Sequence, residues 1–238
     1  MKTIGLIGGM SWESTVTYYQ RLNSQAAARL GGLHSADLLM RSVDFARFEE
    51  RLRRGAWDEI ARELADLARA LQAGGAEMVL ICTNTMHMVA DTVAAAIDIP
   101  LLHIADCVAE ALRAQGCRRP LLLGTRQTME EDFYTARLAA RGDLAPLVPQ
   151  TAEMREKLQR IIFDELCRGI IREESRAVFR AAIADGRRAG ADGVILGCTE
   201  IGLLLDPQEV GLPAFDSTLV HACLLYTSDA ADEGLGVD

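Results

Sequence analysis

The chain has 238 residues, half of them hydrophobic, enough to bury the cores of two units of roughly 100 residues each. Its net charge of −9 excludes a nucleic-acid surface, because phosphate binding needs clustered Lys and Arg. No apolar run approaches the ~18 residues of a membrane span.

The pattern along the chain alternates between strands and helices. Ile4–Gly8 predicts a short buried strand, with an apolar run too short for a secretory signal, so a cytoplasmic protein is expected. A helix follows from Ser11 to about Gly31, with Ser11 at a plausible N-cap. Leu38–Val43 predicts a second strand, and Trp57–Ala73 an amphipathic helix ended by Gly74 and Gly75. Met78–Cys82 is a third strand, followed by a helix through Ala96 and a fourth strand at Pro100–Ile104. The pattern then restarts. Helix Cys107–Ala114, strand Pro120–Gly124, helix Met129–Arg141 and strand Leu144–Val148 come next. Helices Ala152–Cys167 and Glu173–Ala189, strand Val194–Gly197 and a Pro-led strand near Pro213–Phe215 complete it.

Two segments show that the restart is a duplication. Residues 75–85 (GAEMVLICTNT) overlay residues 190–200 (GADGVILGCTE) without a gap, placing Val79 on Val194 and Thr83 on Cys198. Gly8 likewise falls on Gly124, and Pro100 on Pro213. The expected fold is therefore α/β: two similar domains, each a four-stranded parallel sheet flanked by helices, with the active site between them. The first spans 1–104 and takes back the C-terminal segment 211–238; the second spans 105–210. Ligands of open parallel sheets sit beyond the carboxyl ends of the strands. Here those ends carry Gly8-Gly9-Met10-Ser11, Ser42-Val43-Asp44, Thr83-Asn84-Thr85, Gly124-Thr125 and Cys198-Thr199-Glu200.

The six cysteines are scattered with no C-x-x-C pair, and the four histidines form no spaced ligand pair. Neither disulfides nor a metal site are expected. Cys198 follows a buried strand at the start of a helical turn, where a helix dipole would lower its pKa and favour the thiolate. It is the candidate nucleophile or base. Cys82 is a decoy: the overlay pairs it with Gly197, and adjacent strand residues point to opposite faces. Thr83 holds the position equivalent to Cys198. Asn84, Thr85 and Thr199 suit either N-capping or carboxylate binding. Gly8 and Gly9 lack dinucleotide spacing and read as a close approach of backbone to a small ligand. Arg47, Arg51, Arg53, Arg54 and the charged run around Lys157 are mainly a solvated face, with one or two cations free to enter the cleft. His87 and His221 are either site residues or structural ones.

GLIGGMSWES at 5–14, CTNTMH at 82–87 and GCTEIG at 197–202 together resemble the aspartate/glutamate racemase family over about residues 1–222. Its superfamily includes hydantoin racemases, maleate isomerases and arylmalonate decarboxylases. The resemblance implies two α/β domains, a homodimer, a small amino-acid substrate, and no cofactor, neither pyridoxal phosphate nor metal. It implies one acid/base residue on each side of the substrate α-carbon, here Thr83 and Cys198, with the second-half cysteine serving the L-enantiomer. Where the family carries Cys-Asn-Thr, this chain has Thr83-Asn84-Thr85. A threonine hydroxyl does not ionise near neutral pH, so it can donate or relay a proton but abstracts one poorly. Asn84, Thr85, Thr125, Thr199 and Glu200 are carried over as substrate-binding residues, with Met10 lining the pocket. Lys157 or an arginine after the second strand would read a side-chain carboxylate. The alternatives are decarboxylation or cis–trans isomerisation through a related carbanion, or a catalytically idle small-molecule sensor. Residues 224–234 lack the apolar stripe of a closing helix and read as a foreign tail.

Overall fold

In a computed structural model describing residues 1–223, three parallel strands form the centre of each half. The first half comprises β1 (Ile4–Gly8), α1 (Trp12–Leu30), β2 (Leu38–Ser42), α2 (Phe45–Arg54), α3 (Trp57–Ala73) and β3 (Met78–Ile81). A 3-10 turn at Thr85–Val89 then runs into α4 (Ala90–Ala94). The second half contains α5 (Ile104–Ala114), β4 (Pro120–Gly124), α6 (Arg126–Glu130), α7 (Asp132–Gly142) and α8 (Ala152–Asp164). It continues with α9 (Glu173–Arg188), β5 (Gly193–Gly197), α10 (Ile201–Leu204) and β6 (Ala214–Asp216), and the chain is helical from 217 to 223. The foreign-tail reading of 224–234 lies outside the described residues.

The sheets run β2-β1-β3 and β4-β5-β6, so each has three strands where four were expected. The fourth position exists in both halves as a single bridge, Val79 with Leu101 and Leu121 with Leu147. Proline explains both reductions. Pro100 contributes a carbonyl to Val79 N–H but has no N–H to extend the ladder. Pro146 and Pro149 flank Leu147 in the same way, leaving its N–H to Pro120 O and its carbonyl to Leu122 N–H. The duplication survives this trimming, since Leu101 next to β3 is the counterpart of Ala214 in β6 next to β5. The segment after 211, expected to return to the first half, completes the second sheet first. Only afterwards does Ala222 pack among Ile4, Leu6 and Tyr18.

β1, β3, β4 and β5 are buried along their whole length, as parallel strands covered on both faces should be. Helix α3 closes one face with Ile60, Leu64, Ala68 and Leu71, spaced at helical period against Ile7, Val79 and Ile81. Burying each of its larger apolar side chains contributes about 1.5–3 kcal/mol. Helix α2 has no counterpart in the sequence pattern because Phe48 is its one buried residue. Its ends and its ion pairs hold it instead. The Asp44 carboxylate accepts from Ala46 N–H, Gly55 closes it at φ 65°, and Arg51 pairs with Glu59 and Glu63 of α3. The long helix expected at Met129–Arg141 is broken by Glu131, whose ψ of 150° is extended.

Candidate active site

The carboxyl ends of β1, β3, β4 and β5 meet where the halves face each other, and among the hydrogen bonds between the halves three lie at these ends. Ser11 Oγ donates to Glu200 Oε1 at 2.6 Å, Thr85 and Thr125 hydroxyls meet at 2.9 Å, and Asn84 Nδ2 donates to Ser217 Oγ at 2.9 Å. Ser217 Oγ in turn donates to Leu196 O at 2.8 Å, so Asn84 lies two hydrogen bonds from the strand that leads to Cys198. All these side chains are buried, and Thr83 and Cys198 are 8% and 7% exposed.

Ser11 holds the N-cap position of α1 yet makes no side-chain cap, because its hydroxyl is turned across the cleft to Glu200. Thr15 performs the local work, accepting from Gly9 N–H at 2.8 Å and donating to Ser11 O at 2.8 Å. Packing within the protein by itself requires the glycines before it. A Cβ on Gly9, at φ +89°, would lie 2.4 Å from Val43 O, and one on Gly8 would strike Thr15.

Glu200, carried over as a substrate ligand, is the hub of the second half. Its Oε2 accepts from the Cys198 thiol and from the Thr199 hydroxyl, both at 2.9 Å. The thiol is therefore not the low-pKa group expected from its place before a helix. Burial, then the neighbouring Glu200 carboxylate, hold its pKa well above the ordinary thiol value. The four-residue α10 offers too little dipole to oppose them. Cys82 packs in the first-half core with Leu6, Tyr18 and Leu22, and burial raises its pKa too.

The remaining expected residues divide. Thr125 both meets Thr85 and caps α6 by accepting from Thr128 N–H. Asn84 leaves its Oδ1 buried without a donor, an acceptor facing no partner. Met10 lies in the first-half core with Ile7, Phe48 and Met86. Lys157 is exposed on α8 and takes no part in the hydrogen bonds or ion pairs of the described residues. Of the arginines after β2, Arg51, Arg53 and Arg54 are committed to Glu59, Glu63, Glu49 and Glu50, whereas Arg47 has no ion-pair partner among the described residues. Phe45 of α2 stacks on Phe163 of α8 at 6.3 Å, which sets these two cation-bearing helices against each other across the halves. Ser11 and Ser217 were not among the expected site residues. The signal for Ser217 was its position, a polar residue directly after a strand end like every other site residue.

The model of the Asp/Glu/hydantoin racemases matches residues 7–225. The chain belongs to that family. It is accordingly an isomerase acting on amino acids. A crystal structure from Yersinia pestis assigned to the Asp/Glu racemases is 47% identical, covers 99% of this chain and 100% of its own, and superposes with a TM-score of 0.86. An aspartate racemase homologue from Pyrococcus horikoshii OT3 is 35% identical over 97% of this chain and 100% of that one, with a TM-score of 0.82. The broad specificity amino-acid racemase RacX of Bacillus subtilis is 22% identical over 93% of the chain and 94% of its own length. The family model thus spans both strand ends that the internal overlay pairs.

Proposed function

We propose that the protein is a cofactor-independent racemase of aspartate, glutamate or a broader set of amino acids, acting in the cytoplasm, with Cys198 as base on the L face and Thr83 as proton donor on the other. What supports this reading is the cross-cleft arrangement, with a thiol and a hydroxyl at equivalent strand ends and Glu200 bonded to the thiol at 2.9 Å. Burial and the neighbouring Glu200 carboxylate keep the proton on the thiol. A substrate ammonium group held nearer the sulfur than the carboxylate favours the thiolate over the ionised Glu200, and the thiol proton passes to Glu200. The thiolate then takes the α-proton of the L-amino acid. Thr83 delivers its hydroxyl proton to the opposite face, and the alkoxide is reprotonated from water. Asn84 Oδ1 is the acceptor for a substrate N–H. Thr85 and Thr125 exchange their mutual bond, and Thr199 its bond to Glu200, for the α-carboxylate.

Arg47 and Lys157 are the cations left to read a side-chain carboxylate, one from each half. A homodimer fits the exposed stripe of Trp12, Val16 and Tyr19 on α1, which are 64%, 43% and 52% exposed at helical spacing.

Proton exchange tests the function directly. Incubation with L-aspartate and L-glutamate in D₂O places deuterium at Cα, followed by the D-enantiomer. Turnover from the L-form exceeds turnover from the D-form, compensated in KM because equilibrium requires a 1:1 mixture. Silence across acidic and neutral amino acids would overturn the racemase reading, and equal kcat and KM for both enantiomers would overturn the division of roles.

A further inference from the structure

Three histidines lie buried where the chain crosses between the halves, at Leu102–Ile104, and where it returns near 221. Their rings touch edge to face, His87 to His103 at 4.5 Å and His87 to His221 at 5.8 Å. The acceptors around them fix which nitrogen carries each proton. His87 Nδ1 lies 2.8 Å from Thr83 O and must donate to it, leaving Nε2 to accept from Ile104 N–H at 3.2 Å. His221 Nε2 donates to Leu102 O at 2.9 Å, so its Nδ1 accepts from the Tyr18 hydroxyl at 2.8 Å. His103 Nδ1 caps α5 by accepting from Ala105 N–H. Burial lowers the pKa of all three, which keeps these neutral tautomers in place.

We propose that His87 is a positioning residue for Thr83, clamping the carbonyl of the proton-donating residue to the first turn of the second half. Among the described residues, no backbone hydrogen bond joins the Thr83 carbonyl to the first turn of α5. The imidazole instead spans from Thr83 in one half to Ile104 in the other, because its two nitrogens can donate and accept at opposite ends. The clamp therefore ties the Thr83 side of the cleft to the half that carries Cys198. His221 performs the parallel task on the return path, joining Leu102 to Tyr18 of α1. The two chain connections between the halves are thus held from one cluster. Displacement of Thr83 by about 1 Å is enough to cost a proton transfer a hundredfold.

The inference rests on the proposed division of labour between Thr83 and Cys198, and two isosteric variants separate it from a general loss of stability. The amide nitrogen of Asn stands near the place of imidazole Nδ1, whereas the amide of Gln reaches the place of Nε2. His87→Asn keeps the bond to Thr83 O and loses the one to Ile104; His87→Gln does the reverse. With L-aspartate or L-glutamate in D₂O, His87→Gln retains Cα exchange, because Cys198 still removes and returns the proton on its own face. Its inversion to the D-form falls about ten- to a hundredfold, so the ratio of exchange to inversion rises by that factor. His87→Asn keeps the wild-type ratio. Exchange and inversion falling together in both variants, or a ratio changed equally in both, would overturn the proposal. Amide hydrogen exchange read by mass spectrometry supplies a measure that needs no activity: His87→Gln loosens residues 83–89 and His87→Asn does not. Wild-type protein showing no Cα exchange would instead remove the racemase reading and leave the clamp to be decided by that measurement, where equal protection in both variants overturns it.

Discussion

The two halves repeat one design and differ at the place where it matters. β3 runs out into Ile81-Cys82-Thr83 and β5 into Leu196-Gly197-Cys198, so the thiol of the first half is one residue out of register with that of the second. That single step sends Cys82 into the core beside Tyr18 and brings Thr83 to the cleft. A duplicated scaffold thus supplies two equivalent positions without obliging them to carry equivalent chemistry. The second half adds Glu200, which holds the Cys198 proton, while the corresponding Thr85 pairs with a neutral hydroxyl of Thr125. On the proposed function, one side moves a proton both ways and the other delivers one.

The strongest way to break this contrast is Cys198→Ser. A serine hydroxyl bonded to Glu200 lacks thiolate chemistry, and Cα exchange from the L-substrate should fall by about 10³-fold or more, measured by NMR in D₂O. Thr83→Cys sharpens the contrast from the opposite side. It places a second ionisable thiol at the strand end, and kcat from the D-enantiomer should rise about tenfold relative to kcat from the L-enantiomer. An unchanged ratio would show that Thr83 does not limit the D-direction.

The crossover histidines give a pH effect. In the unfolded chain they titrate near 6.5, whereas burial holds His103 and His221 at about 3. Their folded pKa values are depressed, so the stability linked to their neutral forms is complete above pH 6.5 and is lost as pH falls toward 3. Tm should decline through that window, and His103→Asn, which keeps a capping acceptor for α5, should flatten the decline. Cys82→Ala has the smallest effect. Activity stays within about twofold, while the lost sulfur costs about 1 kcal/mol of stability in a urea titration.

Much of this architecture was legible in the residues, for stated reasons. Short fully apolar strands, glycine stops and the ungapped repeat located the strand ends, and period-two geometry removed Cys82 from the site. What remained hidden depends on spatial neighbours. Nothing in the local sequence shows that Ser11 leaves its cap for a carboxylate 189 positions away, or that burial outweighs the helix end at Cys198. Helix α2 escaped because charge pairs and caps, rather than an apolar stripe, sustain it. The missing fourth strands were marked by Pro100, Pro146 and Pro149, whose absent N–H groups count for more than the apolar run around them.

The Ser11–Glu200, Thr85–Thr125 and Asn84–Ser217 bonds give the cleft a property of its own. The protein occupies its site with itself, and every incoming molecule competes against those internal partners. On the proposed function, the ammonium and the carboxylate of the substrate supply a donor and an acceptor in place of the bonds they displace. A ligand lacking either group leaves a buried carboxylate or hydroxyl stranded, at about 1–3 kcal/mol for each. On the proposed function, selection for the amino-acid backbone would begin there, before any contact with the side chain.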